Sequence, residues 1–312
     1  MELRHLRYFI AAAEEEHFGR ASDRLHVTRP AVSRIIADLE SELATPLFER
    51  LAHRVRLTAA GRELLPRLQA TMVDLDDSFA AVKRVGDGKK GTLNIGYGSL
   101  TLLHSIFRET VKQFNQSYPE VALALIELPT SDQPKALAEG RIHAGFMHFG
   151  PRSALLRAKS REGVLAQDKT VLEWVRIQNG GLGVVVPNDH PFAKRQMLTL
   201  PELARERFIV VPRSSSSPGY GPLYALCQKA GFEPNIVQEV VTISSQLNLI
   251  SVGMGIGLAV TGKNFTYPSG LTVVRLHEVN YTTSFVFGWV KGQTNPVLDR
   301  MTEIVKTLAM EK

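Results

Sequence analysis

Five residues within a short span combine cap and hydrogen-bond donor chemistry at helical spacing: Thr28, Arg29, Pro30, Ser33 and Arg34, in the run VTRPAVSRIIADLE. A threonine ahead of a helix is suited to accept the orphan N–H groups of the first turn through its hydroxyl. A proline in that turn loses little by lacking an N–H. Arg29, Ser33 and Arg34 put guanidinium and hydroxyl donors near the start of the polar face, while Val32, Ile35, Ile36, Leu39 and Leu43 recur on the other face. Donors at the exposed start of a helix packed on a preceding helix suit hydrogen bonding to base edges in a DNA major groove. The periodicity alone suits an ordinary helical hairpin with a solvated polar face equally well; the cap, the early proline and the clustered donors favour DNA. Downstream, LFERLAHRVRLT carries Arg50, Arg54 and Arg56 among alternating apolar residues. Two short basic strands beside such a helix form either a wing with arginines on phosphate or a solvated basic hairpin.

Other chemistry is poorly supported. The serine run 214–217 has no G-x-S-x-G elbow, and the nine histidines show no H-E-x-x-H or Cys/His metal spacing. GMGIG at 253–257 precedes a strand, and GDGKKG at 86–91 lacks the GK[ST] of a phosphate loop, so both read as turns or hinges. The single cysteine, Cys227, excludes an internal disulfide framework and reads as a small buried hydrophobe in a reducing compartment. No enzyme, metal or cofactor is expected.

The elements that must position these residues follow a clear order. LRHLRYFIAAAEEE (3–16) forms a supporting helix, followed by a helix from Phe18, a tight break at His26-Val27-Thr28 and the helix that bears the donors. Thr58 reads as the cap of a long helix over 59–85, kinked near its start by Pro66. Along it Leu65, Leu68, Met72, Leu75, Phe79 and Val82 alternate spacings of three and four. That narrow seam suits pairing with a second chain better than packing within one. After a flexible hinge at 86–91 the texture changes. Strands such as TLNIGYGS, VALALIEL and AGFMHF alternate with helices at about 101–118 and 132–139, which predicts parallel α/β layers. The pattern pauses near 151–170. It resumes with LEWVRI, LGVVVP, a helix from Leu200, FIVVP, a helix at about 219–230, IVQEVV, a helix at 243–252, GIGLAV, LTVVRL, SFVFGWV and a helix at 296–309. Two α/β lobes with chain crossings between them place the default ligand site in the cleft at the strand C-terminal ends.

Charge sharpens this less than its total suggests. The chain of 312 residues carries +6, but residues 1–90 hold 15 Lys and Arg against 14 Asp and Glu. The basic character of any DNA surface is therefore local to its arginines. No apolar run approaches membrane-spanning length and the N-terminus lacks a signal-peptide layout, so a cytoplasmic protein with no membrane partner is expected.

In order and spacing, MELRHLRYFIAAAEEEHFGRASDRLHVTRPAVSRIIADLESELATPLFER followed by RVRLTAAGRELL resembles the LysR-type transcriptional regulators, and the resemblance extends along the full chain. It implies a winged helix-turn-helix over 1–58, a linker helix and hinge over 59–88 that pairs two subunits, and an effector-binding domain over 89–312. That domain would be two-lobed, of periplasmic-binding-protein type, with lobe I at about 91–162 and 268–312 and lobe II at about 163–267. It further implies a tetramer on double-stranded promoter DNA at an interrupted palindrome, RNA polymerase as a further partner, and a small organic acid or aromatic effector. Arg29 stands where the family usually has a glutamine-like residue. Carried over by position, the effector residues are Ser99, Thr101, Thr130 and His148 from the first lobe and Arg213, Ser214, Ser215 and Tyr220 from the second. Hydroxyls and N–H groups at helix starts, as at Ser99, Thr130 and Ser214, are suited to a carboxylate. His104 replaces a proline often found at that helix start, and His148 stands where aromatic-acid regulators can carry arginine, which argues against a doubly charged ligand.

Overall fold

The computed structural model describes residues 1–51, 54–150, 162–167, 170–211, 220–277 and 281–310, with backbone alone for 162–167 and 220–222. The chain divides into two compact units, Met1–Lys83 and Arg84–Lys312.

In the first unit, α1 (Leu3–Glu15), α2 (Phe18–Leu25) and α3 (Arg29–Glu42) enclose a core of Phe9, Phe18, Ala21, Val32, Ile36 and Leu39. The break after α2 forms because His26 takes the left-handed conformation at φ 56°. Its N–H donates to the Asp23 carbonyl at 3.2 Å, and that of Val27 to Ser22 at 3.0 Å, which closes the helix end. Thr28 occupies the cap position of α3 as the sequence implies, but its hydroxyl makes no cap bond. Its carbonyl accepts the first helical bonds instead, from Ala31 at 3.0 Å and Val32 at 3.3 Å. Leu43, expected on the buried face, follows the last turn and is 40% exposed.

The strands β1 (Phe48–Arg50) and β2 (Val55–Leu57) pair antiparallel. The Val55 N–H donates to the Glu16 carbonyl at 3.0 Å and so ties this hairpin to the end of α1. Thr58 does cap α4 (Ala59–Gly86), its hydroxyl accepting from the Gly61 N–H at 3.1 Å and donating to the Pro46 carbonyl at 2.8 Å. The helix assignment runs unbroken through Pro66. Glu14 of α1 accepts from Arg24 of α2 at 2.7 Å and from Gln69 of α4 at 2.8 Å, which joins three helices; the Arg24 hydrogen bond holds the carboxyl below the usual carboxylate range.

The second unit begins where a flexible hinge was expected. There the Asp87 carbonyl accepts from Arg300 Nε at 3.0 Å and Gly88 is buried against Pro296, so this end of the segment is packed. The described strands β3 (Gly91–Tyr97), β4 (Val121–Glu127), β5 (Ala144–Phe149), β6 (Glu162–Gln167), β7 (Thr170–Pro187), β8 (Met197–Leu198), β11 (Gly257–Thr261), β12 (Leu271–Leu276) and β13 (Thr283–Val290) form a nine-stranded sheet. A separate parallel pair joins β9 (Arg207–Val210) and β10 (Asn235–Glu239). Helices α5 (Ser105–Ser117), α6 (Gln133–Ala138), α7 (Tyr220–Lys229), α8 (Ile243–Ser251) and α9 (Pro296–Met310) complete the unit.

Parallel layers hold only in part. β3 pairs parallel with β4 and β5, but β13 and β7 run antiparallel to their neighbours. LEWVRI and LGVVVP, expected as successive strands, are one strand of 18 residues, β7, that runs through the glycines at 180, 181 and 183. Those glycines answer crowding rather than a turn: a Cβ on Gly180 would lie 2.7 Å from the Thr261 carbonyl, and on Gly183 2.6 Å from that of Val274. The first half of β7 pairs with β13 and β6, the second with β11 and β12. Val175 and Ile177 accordingly pack in the first lobe with Phe146, Phe285 and Phe287, whereas Leu182, Val184 and Val186 pack in the second with Phe208, Leu223 and Val274. The chain therefore crosses between lobes within β7 and again between β12 and β13. Both crossings lie later than the expected boundaries near 163 and 268. The helix expected from Leu200 is a single 3-10 turn, and the pause before β7 contains β6.

Candidate functional site

In the first unit, Arg29 is the first residue of α3 and is exposed, as are Thr28, Pro30 and Arg34; Ser33 is half-buried. Arg29 and Ser33 are four residues apart and share a helix face, as do Pro30 and Arg34. The apolar face is taken up by Val32, Ile36 and Leu39, so the donors have no part in the core. In the hairpin, Arg54 and Arg56 are exposed, and Arg56 stands opposite Glu49. The Arg50 guanidinium lies 6.0 Å from the centre of the Phe18 ring, which anchors this arginine to the domain. Along α4, Gly61 alone is buried among the described residues. Phe79 and Val82 of the predicted seam are 63% and 72% exposed.

In the second unit, Thr130 and His148 are in contact, and the turn that bears Ser99 and Thr101 adjoins the second lobe through Leu103. The helix predicted from Thr101 is split into a 3-10 turn, Ser99–Leu103, and α5. His104 causes the split: its Nδ1 accepts the Ile106 N–H at 3.3 Å and so caps α5. With Nδ1 accepting, Nε2 carries the proton and donates to Gln178 Oε1 at 3.2 Å. Gln178 is aimed at this point by a bulge. Phe285 of β13 pairs with Gln178 and Val286 with Arg176, which leaves Ile177 as an extra residue that turns Gln178 onto the Phe285 face. Asn264, in the loop after β11, also donates to Gln178 Oε1, at 2.9 Å. That loop is fixed to the start of α5 by Ser105 N–H donating to the Asn264 carbonyl and Thr266 N–H to the Leu103 carbonyl, both at 2.8 Å. Leu103 itself packs among Ile209, Leu247 and Ile250 of the second lobe.

His148 lies across from Phe285 in the β5–β13 register, and their rings stack at 4.2 Å and 10°. Phe265 approaches the same ring at 5.8 Å. Thr130 accepts the His148 backbone N–H at 3.2 Å, so these two expected residues do come together. Both ring nitrogens of His148 are buried without a hydrogen-bond partner, and so is the hydroxyl of Thr101. Burial pushes the His148 imidazole down to about 3, with the neighbouring His104 adding to the shift. Ser99 opens the 3-10 turn and is half-buried. Arg213, Ser214 and Ser215 lie outside the described residues, and Tyr220 is described only as the first residue of α7. Gln178, Asn264 and Phe265 were not anticipated. Nothing in an apparently regular strand announces a bulge, and the loop residues owe their place to pairing distant in sequence.

Residues 3–62 match the family model described as bacterial regulatory helix-turn-helix protein, lysR family, and residues 86–309 match the LysR substrate binding domain. The chain belongs to the LysR family of transcriptional regulators. The regulator AlsR of Bacillus subtilis (strain 168) is 29% identical to this LysR-type regulator over 305 residues, 97% of this chain and 95% of its own length. CatR of Pseudomonas putida is 30% identical over 306 residues, covering 98% of each. Among solved structures, CbnR superposes with a TM-score of 0.78 over 98% of this chain and 100% of its own, a likeness of fold at 24% identity. This LysR-type regulator is a DNA-binding transcriptional regulator with a ligand-binding domain. Among its described residues, no helix is long and apolar enough to cross a membrane, and no three or more His, Cys, Asp or Glu are grouped to hold a metal.

Proposed function

We propose that a small organic acid or aromatic effector binds at the lobe border and controls how this LysR-type regulator engages promoter DNA. One observation carries the proposal: the Thr101 hydroxyl, in the 3-10 turn after β3, and both ring nitrogens of His148, near the end of β5, are buried and unpartnered, and the His148 ring lies against Phe285 and Phe265. Buried polar atoms are nearly always satisfied, so such a set calls for a ligand or ordered water. Ser99 and Thr130 border it from the first lobe, with Arg213, Ser214, Ser215 and Tyr220 contributing from the second. In unit one, Thr28, Arg29, Pro30, Ser33 and Arg34 face base edges, and Arg50, Arg54 and Arg56 face phosphates. The exposed apolar residues of α4 pair two subunits, and two such dimers form a tetramer in the cytoplasm that can contact RNA polymerase. The relatives described above are regulators, and no catalytic role is proposed.

The effector acts only through its different affinity for two arrangements of the lobes. Thermal-shift screening with small organic acids and aromatics tests the site, since a ligand at 100 times its Kd adds about 2.7 kcal/mol to native stability. The reading predicts a stabilising ligand whose effect is lost in Thr101→Val. A screen without stabilisers, or one whose hits are indifferent to Thr101→Val and Ser99→Ala, contradicts it.

A further inference from the structure

We propose that the loop Gly262–Tyr267 is the lid of the lobe-border site: its Phe265 covers His148, and the loop must release the start of α5 before a ligand reaches that imidazole. This inference rests on the reading that the effector binds at the lobe border, and it adds the segment that controls access.

Both ring nitrogens of His148 are buried, so something must move before they can be touched. Two phenylalanine rings lie against this imidazole, with centres at 4.2 Å for Phe285 and 5.8 Å for Phe265. They differ in what their displacement breaks. Phe285 is buried in the middle of β13, paired with β5 on one side and β7 on the other. Phe265 is half-buried in the loop between β11 and β12, which also carries the exposed Lys263 and Thr266. Moving Phe285 disrupts the sheet, whereas moving Phe265 moves only a surface loop.

The loop is tied at both ends, and the two ties differ. In the second lobe the Tyr267 hydroxyl donates to the Val260 carbonyl at 2.8 Å, which anchors the far end to β11. Toward the first lobe, Phe265 and His104 form an isolated antiparallel bridge. Its bonds run from Ser105 N–H to the Asn264 carbonyl and from Thr266 N–H to the Leu103 carbonyl. An isolated bridge draws no support from a continuing ladder and belongs to the part of a fold that opens first. Gln178 reinforces it: its Oε1 has two lone pairs and accepts from His104 Nε2 at 3.2 Å and from Asn264 Nδ2 at 2.9 Å. The Gln178 amide nitrogen lies over Gly262, where a Cβ would collide with it. These bonds join a loop of the second lobe to a helix packed on one face of the sheet, outside the plane of the two chain crossings. Opening the lid therefore also unfastens the lobes on that face.

The test needs no ligand. Full-length protein is treated with diethyl pyrocarbonate near pH 7, and modification of His148 is followed by mass spectrometry beside the exposed His26. His148 of wild type should react at least about tenfold more slowly than His26. Asn264→Ala removes one tie and keeps the backbone bridge, and Gly262→Ala pushes the Gln178 amide aside. Each should speed His148 modification about fivefold to tenfold, the effect of one ordinary hydrogen bond on an opening equilibrium. Hydrogen exchange at the Ser105 and Thr266 amides should quicken by the same factor, while Cys227, buried in the core of the second lobe, stays unreactive toward N-ethylmaleimide. Three outcomes overturn the inference: His148 as reactive as His26 in wild type, rates at His148 and both amides unchanged in the two variants, or His148 and Cys227 becoming reactive together, which marks loss of the fold. The binding reading fails separately, through the Thr101→Val and Ser99→Ala arm of the thermal-shift screen.

Discussion

His148 is a basic side chain held where a proton is unwelcome, and that has a consequence for stability. Its imidazole is pushed down to about 3 in the folded protein, below the ordinary histidine value that it regains on unfolding. Between those two values the unfolded chain binds the extra proton. The stability that comes from keeping His148 neutral is therefore complete above about pH 6.5 and is lost as pH falls toward 3, by up to about 1.4 kcal/mol per pH unit. Urea melts of wild type and His148→Phe between pH 7 and about pH 4 should show a shallower slope in the variant. His143, which burial also lowers, supplies a residual slope in both. Equal slopes would mean that the imidazole is not buried as described. Arg29 belongs to the same scale. It opens α3, fully outside the core, where a guanidinium can pair bidentately with guanine O6 and N7. Arg29→Ala should relax preference at one operator base pair by about 1–3 kcal/mol, measured by binding to single-substituted operators. Uniform weakening over all of them would place Arg29 on phosphate.

At the scale of elements, α4 makes the most direct prediction. Phe79 and Val82 lie exposed on a long helix, and burial of a phenylalanine side chain is worth about 1.5–3 kcal/mol. Phe79→Asp, counted twice in a symmetric dimer, should weaken association by about 3–6 kcal/mol without unfolding the monomer, as read by sedimentation. An unchanged dimer would remove α4 from the interface. The same scale shows what the sequence could and could not disclose. The break at His26, the helix from Arg29 and the Thr58 cap depend on local spacing and were legible, whereas Leu65 and Leu68 of the expected α4 seam pack against the first unit's own core. Thr28 was legible as a cap position but not in its chemistry, since its carbonyl does the work. The continuity of β7 was not legible, because crowding by a neighbouring strand and freedom to turn demand the same residue, glycine. The bulge at Ile177 is set by register against β13, which lies over a hundred residues downstream. Half of the lobe-border cluster was thus visible as strand-end residues of the first lobe. The other half, Gln178, Asn264 and Phe265, exists only once the lobes are joined.

At the scale of the molecule, the continuity of β7 through both lobes matters most. A single strand crossing from one core to the other, with a second crossing before β13, makes a narrow bridge on which the lobes can reorient. The cluster of His104, Gln178, Asn264 and Phe265 joins segments from both sides of that bridge. A ligand bound there, as proposed, would touch both lobes, and in a regulator with a DNA-reading unit the consequence should be visible on DNA. The most direct measurement is nuclease footprinting of the full-length protein on the intergenic DNA upstream of its own gene, with and without a ligand shown to bind. The account predicts a competitor-resistant footprint over paired half-sites whose extent or cleavage pattern changes with ligand. In Thr101→Val the footprint should persist and cease to respond. A tightly bound ligand that leaves the footprint identical, or the lack of any competitor-resistant footprint, would contradict it.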